Sequence, residues 1–303
     1  MANVHFTYAD PTFSLPKRAL IRAIETVTGQ PRLKRLYLAN RRNPVAGESF
    51  FAAAVRQLEL DVRFDRSQLA GIPASGPCVI VANHPYGVLD GVVIAWLIEQ
   101  VRRDFVILTH ALLLNAPEAA VSLLPVDFSE TPEALKTNLR TRALARQRLE
   151  AGGCVIVFPA GAVSTSPDKL GRRPAIDAPW QPFTAQLIQR SGATVVPIFF
   201  GGQNSRLFQI ASHVHTALRL SLIFKEVRDR IGTRLPVAIG DPIDGAEIAA
   251  AGDRKALVEM LRRRTYALAA KVPEDRTARR IVALRNRPIV PAKPQHRTSA
   301  PRV

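Results

Sequence analysis

The chain has 303 residues, 47% of them hydrophobic and only 6% aromatic, with 42 Lys and Arg against 25 Asp and Glu and a formal net charge of +17. That length supports one large domain with a full core, or two small ones. The sparse aromatics argue against a base-stacking nucleic-acid binder, while the charge calls for an anionic surrounding: nucleic acid, an anionic membrane leaflet or a phosphorylated cofactor.

In chain order, residues 1–14 lack the apolar core of a signal peptide. No segment reaches the ~18 consecutive apolar residues of a membrane span. The expectation is a cytosolic protein, or one bound peripherally to the cytoplasmic face of the inner membrane. Residues 16–42 are basic and amphipathic: Leu20, Ile24 and Val27 are expected on one helical face, ringed by Lys17, Arg18 and Arg22, and Leu33, Leu36 and Tyr37 continue among further arginines. Two readings stand together: an element lying on a membrane surface, or helices packed on their own domain. Another helix is expected over 47–58, with Phe51, Val55 and Leu58 in a stripe.

An alternation of strands and helices follows. Strands are expected over 58–64, 78–82, 105–108, 155–158, 195–200 and 235–239. Helices are expected over 92–100, near 117–123, and over 132–151, 180–191 and 246–270, with Gly152, Gly153 and Gly192 as stops. This pattern predicts an α/β fold with a largely parallel central sheet flanked by helices, preceded by N-terminal basic amphipathic helices. The organisation reads as an N-terminal helical, membrane-contacting segment over 1–58, an α/β domain over 59–272 and a basic, disordered tail over 273–303. Cys78 and Cys154 sit in apolar runs and are expected as buried strand residues of a reducing compartment. His213 and His215 alternate without an acidic or cysteine partner nearby, so no metal is expected.

Three segments carry chemistry, each just after an expected strand, where open α/β sheets bind ligands. In Asn83-His84-Pro85-Tyr86-Gly87-Val88-Leu89-Asp90, a buried strand delivers a histidine into a Pro/Gly turn and an aspartate follows as a helix begins. If Asp90 holds Nδ1, Nε2 is left as a base that can take a proton from an alcohol or amine and make it attack a carbonyl. The plain alternative is that Asp90 caps the helix and His84 is a loop residue. No Gly-x-Ser-x-Gly elbow supplies a protein nucleophile, so direct transfer to a bound acceptor is the simplest chemistry. The second segment, Phe158-Pro159-Ala160-Gly161, turns sharply and exposes backbone amides. The third, Val196-Pro197, puts a proline into a strand, which predicts an edge or a bulge.

This ordered set resembles the glycerolipid acyltransferases, the superfamily of glycerol-3-phosphate and 1-acylglycerol-3-phosphate acyltransferases, over roughly residues 75–240. The resemblance implies acyl transfer from acyl-CoA or acyl carrier protein, as co-substrate and with no other cofactor, to a lysolipid acceptor at a membrane surface. It places His84 and Asp90 on the catalytic pair, Phe158 to Gly161 on the third motif and Val196-Pro197 on the fourth. Three departures stand out: the spacing of His84 and Asp90 is one residue longer than usual, Ala160 stands where Glu is usual, and Val126-Asp127-Phe128 lacks the usual phosphate-binding Arg. Loss of a guanidinium fork weakens phosphate recognition. The longer spacing, Phe158-Pro159-Ala160-Gly161 and Asn204-Ser205-Arg206-Leu207-Phe208 resemble a bacterial branch often labelled hemolysin, which includes lyso-ornithine lipid acyltransferases.

The expected site is therefore His84 as general base, Asp90 as its orienter, and Asn83, Gly87, Phe158, Pro159, Gly161, Asn204 and Arg206 as substrate-binding residues. Amides around Gly87 or Gly161 are candidates for the oxyanion. Lyso-ornithine lipid is the first candidate acceptor and 1-acylglycerol-3-phosphate the alternative. A basic nucleic-acid binder and a non-catalytic lipid-binding protein are the rivals of other classes.

Overall fold

A computed structural model describes residues 7, 9, 13–110, 116–127 and 131–272. The expected basic tail over 273–303 lies outside the described residues, as does Phe128. Seven strands are described: β1 (Asp61–Arg63), β2 (Cys78–Ala82), β3 (Phe105–His110), β4 (Leu123–Val126), β5 (Cys154–Val157), β6 (Thr194–Phe200) and β7 (Arg234–Ile239). They form one sheet in the order β1-β7-β6-β2-β5-β3-β4. The pairs from β6 to β4 are all parallel; β7 runs antiparallel to β6, and β1 lies parallel to β7.

The described helices are α1 (Leu15–Thr28), α2 (Gln30–Arg42), α3 (Phe50–Gln57), α4 (Val88–Glu99), α5 (Pro117–Ala120), α6 (Pro132–Glu150), α7 (Pro182–Ser191), α8 (Arg206–Val214), α9 (Thr216–Ser221), α10 (Ile223–Asp229), α11 (Gly245–Ala250) and α12 (Arg254–Ala267). They cover both faces of the sheet, and strand alternation divides the core. Cys78, Ile80 and Ala82 of β2 join a cluster with α3, α4, α8 and α10, while Val79 and Val81 point into a second cluster with α6, α7 and α12. All of β2 is buried, which is why it reads as an unbroken apolar run rather than an alternating one. Cys78 and Cys154 are register neighbours on β2 and β5, both free and buried.

Several expectations are corrected. β6 is an interior strand, not an edge, but the bulge expected as the alternative is there: the antiparallel register slips by one residue between Ile198–Ile239 and Val195–Ile243. The missing N–H of Pro197 faces a gap in the pairing with β7: its carbonyl accepts from Gly240 N at 2.8 Å, and pairing resumes at Val195 and Ile243. Pro125 does lie on an edge strand, β4, which the sequence reading left out. The expected 246–270 helix is two helices, because Asp253 caps a fresh start by accepting from Ala256 N. α4 begins at Val88, four residues before its expected start at Val92; it is buried on nearly every side, so its apolar positions show no helical period. On α1 the inward residues are Ile21 and Glu25, whereas Leu20 and Val27 are exposed at 57% and 80%. Ile24, Leu33, Leu36 and Tyr37 pack against the domain core, so α1 and α2 are docked helices that keep an outward apolar and basic face. No helix among the described residues is long and apolar enough to cross a membrane.

Candidate active site

β2, β3, β4 and β5 run parallel and end at one edge of the sheet, and a cleft of about 800 Å³ opens there. Its walls carry His84 beyond β2, Thr109 of β3, Asp127 beyond β4 and Phe158 beyond β5. The chain leaves β2 through Asn83, whose side-chain amide donates to Phe200 O at 2.9 Å and accepts from Phe200 N at 2.7 Å. This pairing anchors the start of the turn on β6. Tyr86 anchors its middle: the phenol donates to Gly201 O at 2.6 Å, in space where a Cβ on Gly202 would lie 1.7 Å from the hydroxyl. Gly87 then adopts φ +80°, a conformation that favours glycine, and α4 begins.

Asp90 sits in the first turn of α4 and is fully buried. Its Oδ2 accepts from Tyr86 N at 2.8 Å and Gly87 N at 2.9 Å, and the same oxygen lies 3.0 Å from His84 Nδ1. The ring nitrogen is close in distance, although its N–H does not point squarely at the oxygen. Capping and pairing with the histidine are thus one arrangement, not alternatives. Burial pushes the Asp90 carboxyl above the ordinary aspartate value, opposed by His84 and the two amides. The imidazole stacks on Phe158, ring centroids 4.1 Å apart and planes 26° apart, and its side chain is 18% exposed at the cleft. With Nδ1 turned to Asp90, Nε2 is the available base.

A second buried carboxylate, absent from the sequence reading, holds the histidine from behind. Asp177 Oδ1 accepts from Ser164 Oγ at 2.5 Å and from the His84 backbone N–H at 3.2 Å, while Oδ2 accepts from Trp180 Nε1 at 2.9 Å. Ser164 N closes the loop by donating to His84 O at 2.8 Å. Asp177 N donates to the Tyr266 hydroxyl at 2.8 Å. Both backbone polar groups of His84 are therefore held by the 164–177 segment. Burial raises the Asp177 carboxyl, against its three donors. Burial and the neighbouring Asp177 together push the Tyr266 phenol well up.

Of the expected site residues, His84, Gly87, Phe158, Pro159 and Gly161 line the cleft, and Asp90 contacts His84 from inside. Three do not reach it. Asn83 is 3% exposed and spends its amide on Phe200. Asn204 is 1% exposed and lies away from the cleft walls. Arg206 is exposed and donates through Nε to Leu170 O at 2.8 Å. Neither glycine's own amide is open to an oxyanion, since Gly87 N is held by Asp90 and Gly161 N donates to Phe158 O at 3.0 Å. Ala160, which stands where Glu is usual in the acyltransferases it resembles, is buried in the second core cluster. His213 contacts Ser166 O at 2.8 Å through Nε2, and His215 Nδ1 accepts from Ala217 N at 2.9 Å, so both have structural partners. Among the described residues no cluster of His, Cys, Asp and Glu is suited to a metal ion.

A smaller apolar cavity of about 170 Å³ lies beside the cleft, lined by α2, α3 and α10 side chains including Leu33, Phe50 and Val227. It shares Val88, Gly91, Thr109 and Ile223 with the cleft. A cleft that carries a histidine base and the side chains of Arg142, Arg219 and Arg254 thus adjoins an apolar pouch.

The lyso-glycine lipid O-acyltransferase of Phocaeicola vulgatus is 25% identical over 217 residues, covering 70% of this chain and 72% of its own. The protein of the same name from Bacteroides thetaiotaomicron is 28% identical over 197 residues, covering 61% and 67%. Among solved structures, the 1-acyl-sn-glycerophosphate acyltransferase PlsC of Thermotoga maritima aligns over 90% of this chain and 83% of its own, with 16% identity and a TM-score of 0.45. The sequence model of the acyltransferase family matches residues 37–274, and the chain belongs to that family.

Proposed function

We propose that this chain is a lysolipid O-acyltransferase in which His84 is the general base. The observation that carries the reading is the His84 and Asp90 pair at the edge of a cleft joined to an apolar pouch. Nε2 takes the proton of the acceptor hydroxyl as its oxygen attacks the carbonyl of an acyl thioester. The C–O bond forms, the tetrahedral oxyanion collapses, the C–S bond breaks, and the imidazolium returns its proton to the leaving thiolate. Asp90 supports the cationic ring through the transfer. Ala162 and Val163 line the cleft beside the histidine, and their amides are the candidates for the oxyanion in place of Gly87 and Gly161. The apolar pouch takes the alkyl chain, and the donor is acyl-CoA or acyl carrier protein.

The acceptor in this proposal is an amino-acid lysolipid. Lyso-glycine lipid is the acceptor named for the two relatives. Lyso-ornithine lipid is the other candidate acceptor, Asp127 being the acidic residue among those that line the cleft. The lipid surface is met by the outward face of α1, where Leu15, Leu20 and Val27 are exposed beside Arg22, in a chain of net charge +17. Attachment is peripheral, on the cytoplasmic face of the inner membrane, and weakens with salt.

The test is to offer the purified chain an acyl thioester with lyso-glycine lipid, lyso-ornithine lipid or lysophosphatidic acid, and to follow thiol release and the diacyl product by mass spectrometry. Product from an amino-acid lysolipid is expected. A clear preference for lysophosphatidic acid overturns the acceptor assignment, and no acyl transfer to any lysolipid overturns the reading as a whole.

A further inference from the structure

Arg102 is 4% exposed, and its guanidinium grips both Asp104 oxygens at 2.7 Å and the carbonyls of Pro73, Gly76 and Gly152 at 2.8 to 3.0 Å. Every N–H of that fork is used. Arg219 on α9 is different. It is half-buried, its guanidinium lies 5.6 Å from the ring centroid of Phe208, and its one hydrogen bond among the described residues goes from Nη2 to the carbonyl of Val163. No carboxylate among the described residues lies within ion-pair distance of it. Burial lowers its pKa, as expected for a cation whose desolvation nothing offsets.

Its position is what matters. Val163 precedes Ser164, whose N–H holds the His84 carbonyl, and Val163 Cγ2 lies 3.1 Å from where a Cβ on Gly87 would be. Arg219 is therefore one residue removed from the clamp on the catalytic histidine, and it lines the same cleft. Arg142 and Arg254 also line the cleft but are exposed at its rim. Asp127, the acidic residue of the lining, directly follows β4. A partly desolvated guanidinium with free donors in a substrate cleft is a receptor for a planar anion.

We propose that Arg219 binds the carboxylate of the acceptor head group and thereby selects amino-acid lysolipids that retain a free carboxylate. The proposal rests on the lysolipid acyltransferase reading and adds to it the residue that chooses the acceptor. A glycine joined to a lipid through its nitrogen keeps such a carboxylate, and so does any amino acid joined in the same way. Because Arg219 lies outside the motif segments around His84, Phe158 and Pro197, a head-group role there can vary while the transfer chemistry stays constant.

The test compares an N-(3-hydroxyacyl)glycine with its carboxamide, which has the same shape and no charge. With wild-type protein, kcat/KM is expected to favour the carboxylate by about 10- to 100-fold, the range of a charged hydrogen bond. Arg219→Gln should bring that ratio close to one, and Arg219→Lys should leave it between, since a point charge lacks the fork. An unchanged ratio in Arg219→Gln overturns the proposal. So does an effect confined to the KM of the acyl donor, which would place a donor phosphate on Arg219 instead. Binding of the two acceptors to the His84→Ala protein, with and without Arg219→Gln, separates this from turnover. Carboxylate-selective binding that Arg219→Gln removes supports the proposal even if no acyl transfer is found. Equal binding of carboxylate and carboxamide to the His84→Ala protein refutes it, whatever the turnover.

Discussion

Two buried aspartates meet at one histidine, and they hold different parts of it. Asp90, from the first turn of α4, faces the ring nitrogen Nδ1. Asp177, from the loop between β5 and α7, accepts from the backbone N–H of the same residue. Both are fully buried and both are raised by burial against several donors. The difference lies in what each can influence. Asp90 touches the group that changes charge in the reaction, so it acts on proton transfer. Asp177 touches an amide that never changes charge, so it acts on where the ring sits.

The largest effect that follows is from removing what both aspartates serve. His84→Ala should lower acyl transfer by about 10²- to 10⁴-fold, the usual cost of losing a general base. Folding should be little affected, because the clamp binds the His84 backbone, which alanine retains. A folded His84→Ala protein with normal turnover would remove the basis of the comparison.

Asp90→Asn comes next. The asparagine carbonyl can take the place of Oδ2 and keep the Tyr86 and Gly87 amides, so the cap survives. The negative charge beside Nδ1 is lost, and kcat should fall on the order of 10²-fold or more, as when a histidine base loses its carboxylate. Thermal melting with parallel rate measurements reads both quantities. Wild-type rates in Asp90→Asn would reduce Asp90 to a helix cap.

Asp177→Asn should reverse that pattern. An asparagine carbonyl on the Oδ1 side still serves Ser164 and His84, but its NH₂ then faces Trp180 Nε1, donor against donor. A buried donor left unmatched costs about 1–3 kcal/mol of stability. The kcat should drop less than in Asp90→Asn, through displacement of the ring. If Asp177→Asn instead loses rate as deeply as Asp90→Asn with unchanged melting, the division between ring and backbone is wrong.

The same pair shows what the sequence could disclose. Asp90 lies six positions after His84, across a turn marked by Pro85 and Gly87, so one local pattern suggests the contact. Asp177 is 93 positions from His84 and 89 from Tyr266, and no local pattern links them. β2 and β5 were legible because parallel strands buried on both faces must be continuously apolar. α8, α9 and α10 were not: they are nine, six and seven residues long and follow one another with no glycine or proline from 206 to 229 to mark their ends. The cap at Ser205 and the apolar stripe of α8 were the local signs of that region. Arg219 was hidden with it. Asn83 and Arg206 were assigned to substrate because of the segments they sit in. The direction of a side chain at a strand end depends on the neighbouring strand, here Phe200, which local sequence does not specify.

The smallest effect, and the finest test of the comparison, is the pH dependence of the Asp177→Asn stability cost. Two causes compete at Asp177: burial disfavours the charged carboxylate, and three donors favour it. Burial wins, so the folded-state pKa lies above the ordinary aspartate value of 3.8. For an acid raised on folding, the stabilising contribution is complete below the unfolded value and is lost as pH rises through the folded value. The wild-type protein should therefore lose stability relative to Asp177→Asn across that window, and the cost of the substitution should shrink from acidic toward neutral pH. Denaturant titrations of both proteins at matched ionic strength measure it. A cost that grows with pH would mean that Ser164, Trp180 and the His84 amide together outweigh burial. Asp177 would then be a true carboxylate at every working pH, placing a second fixed negative charge behind His84 and giving it a share in the electrostatics of the ring that its geometry alone does not assign.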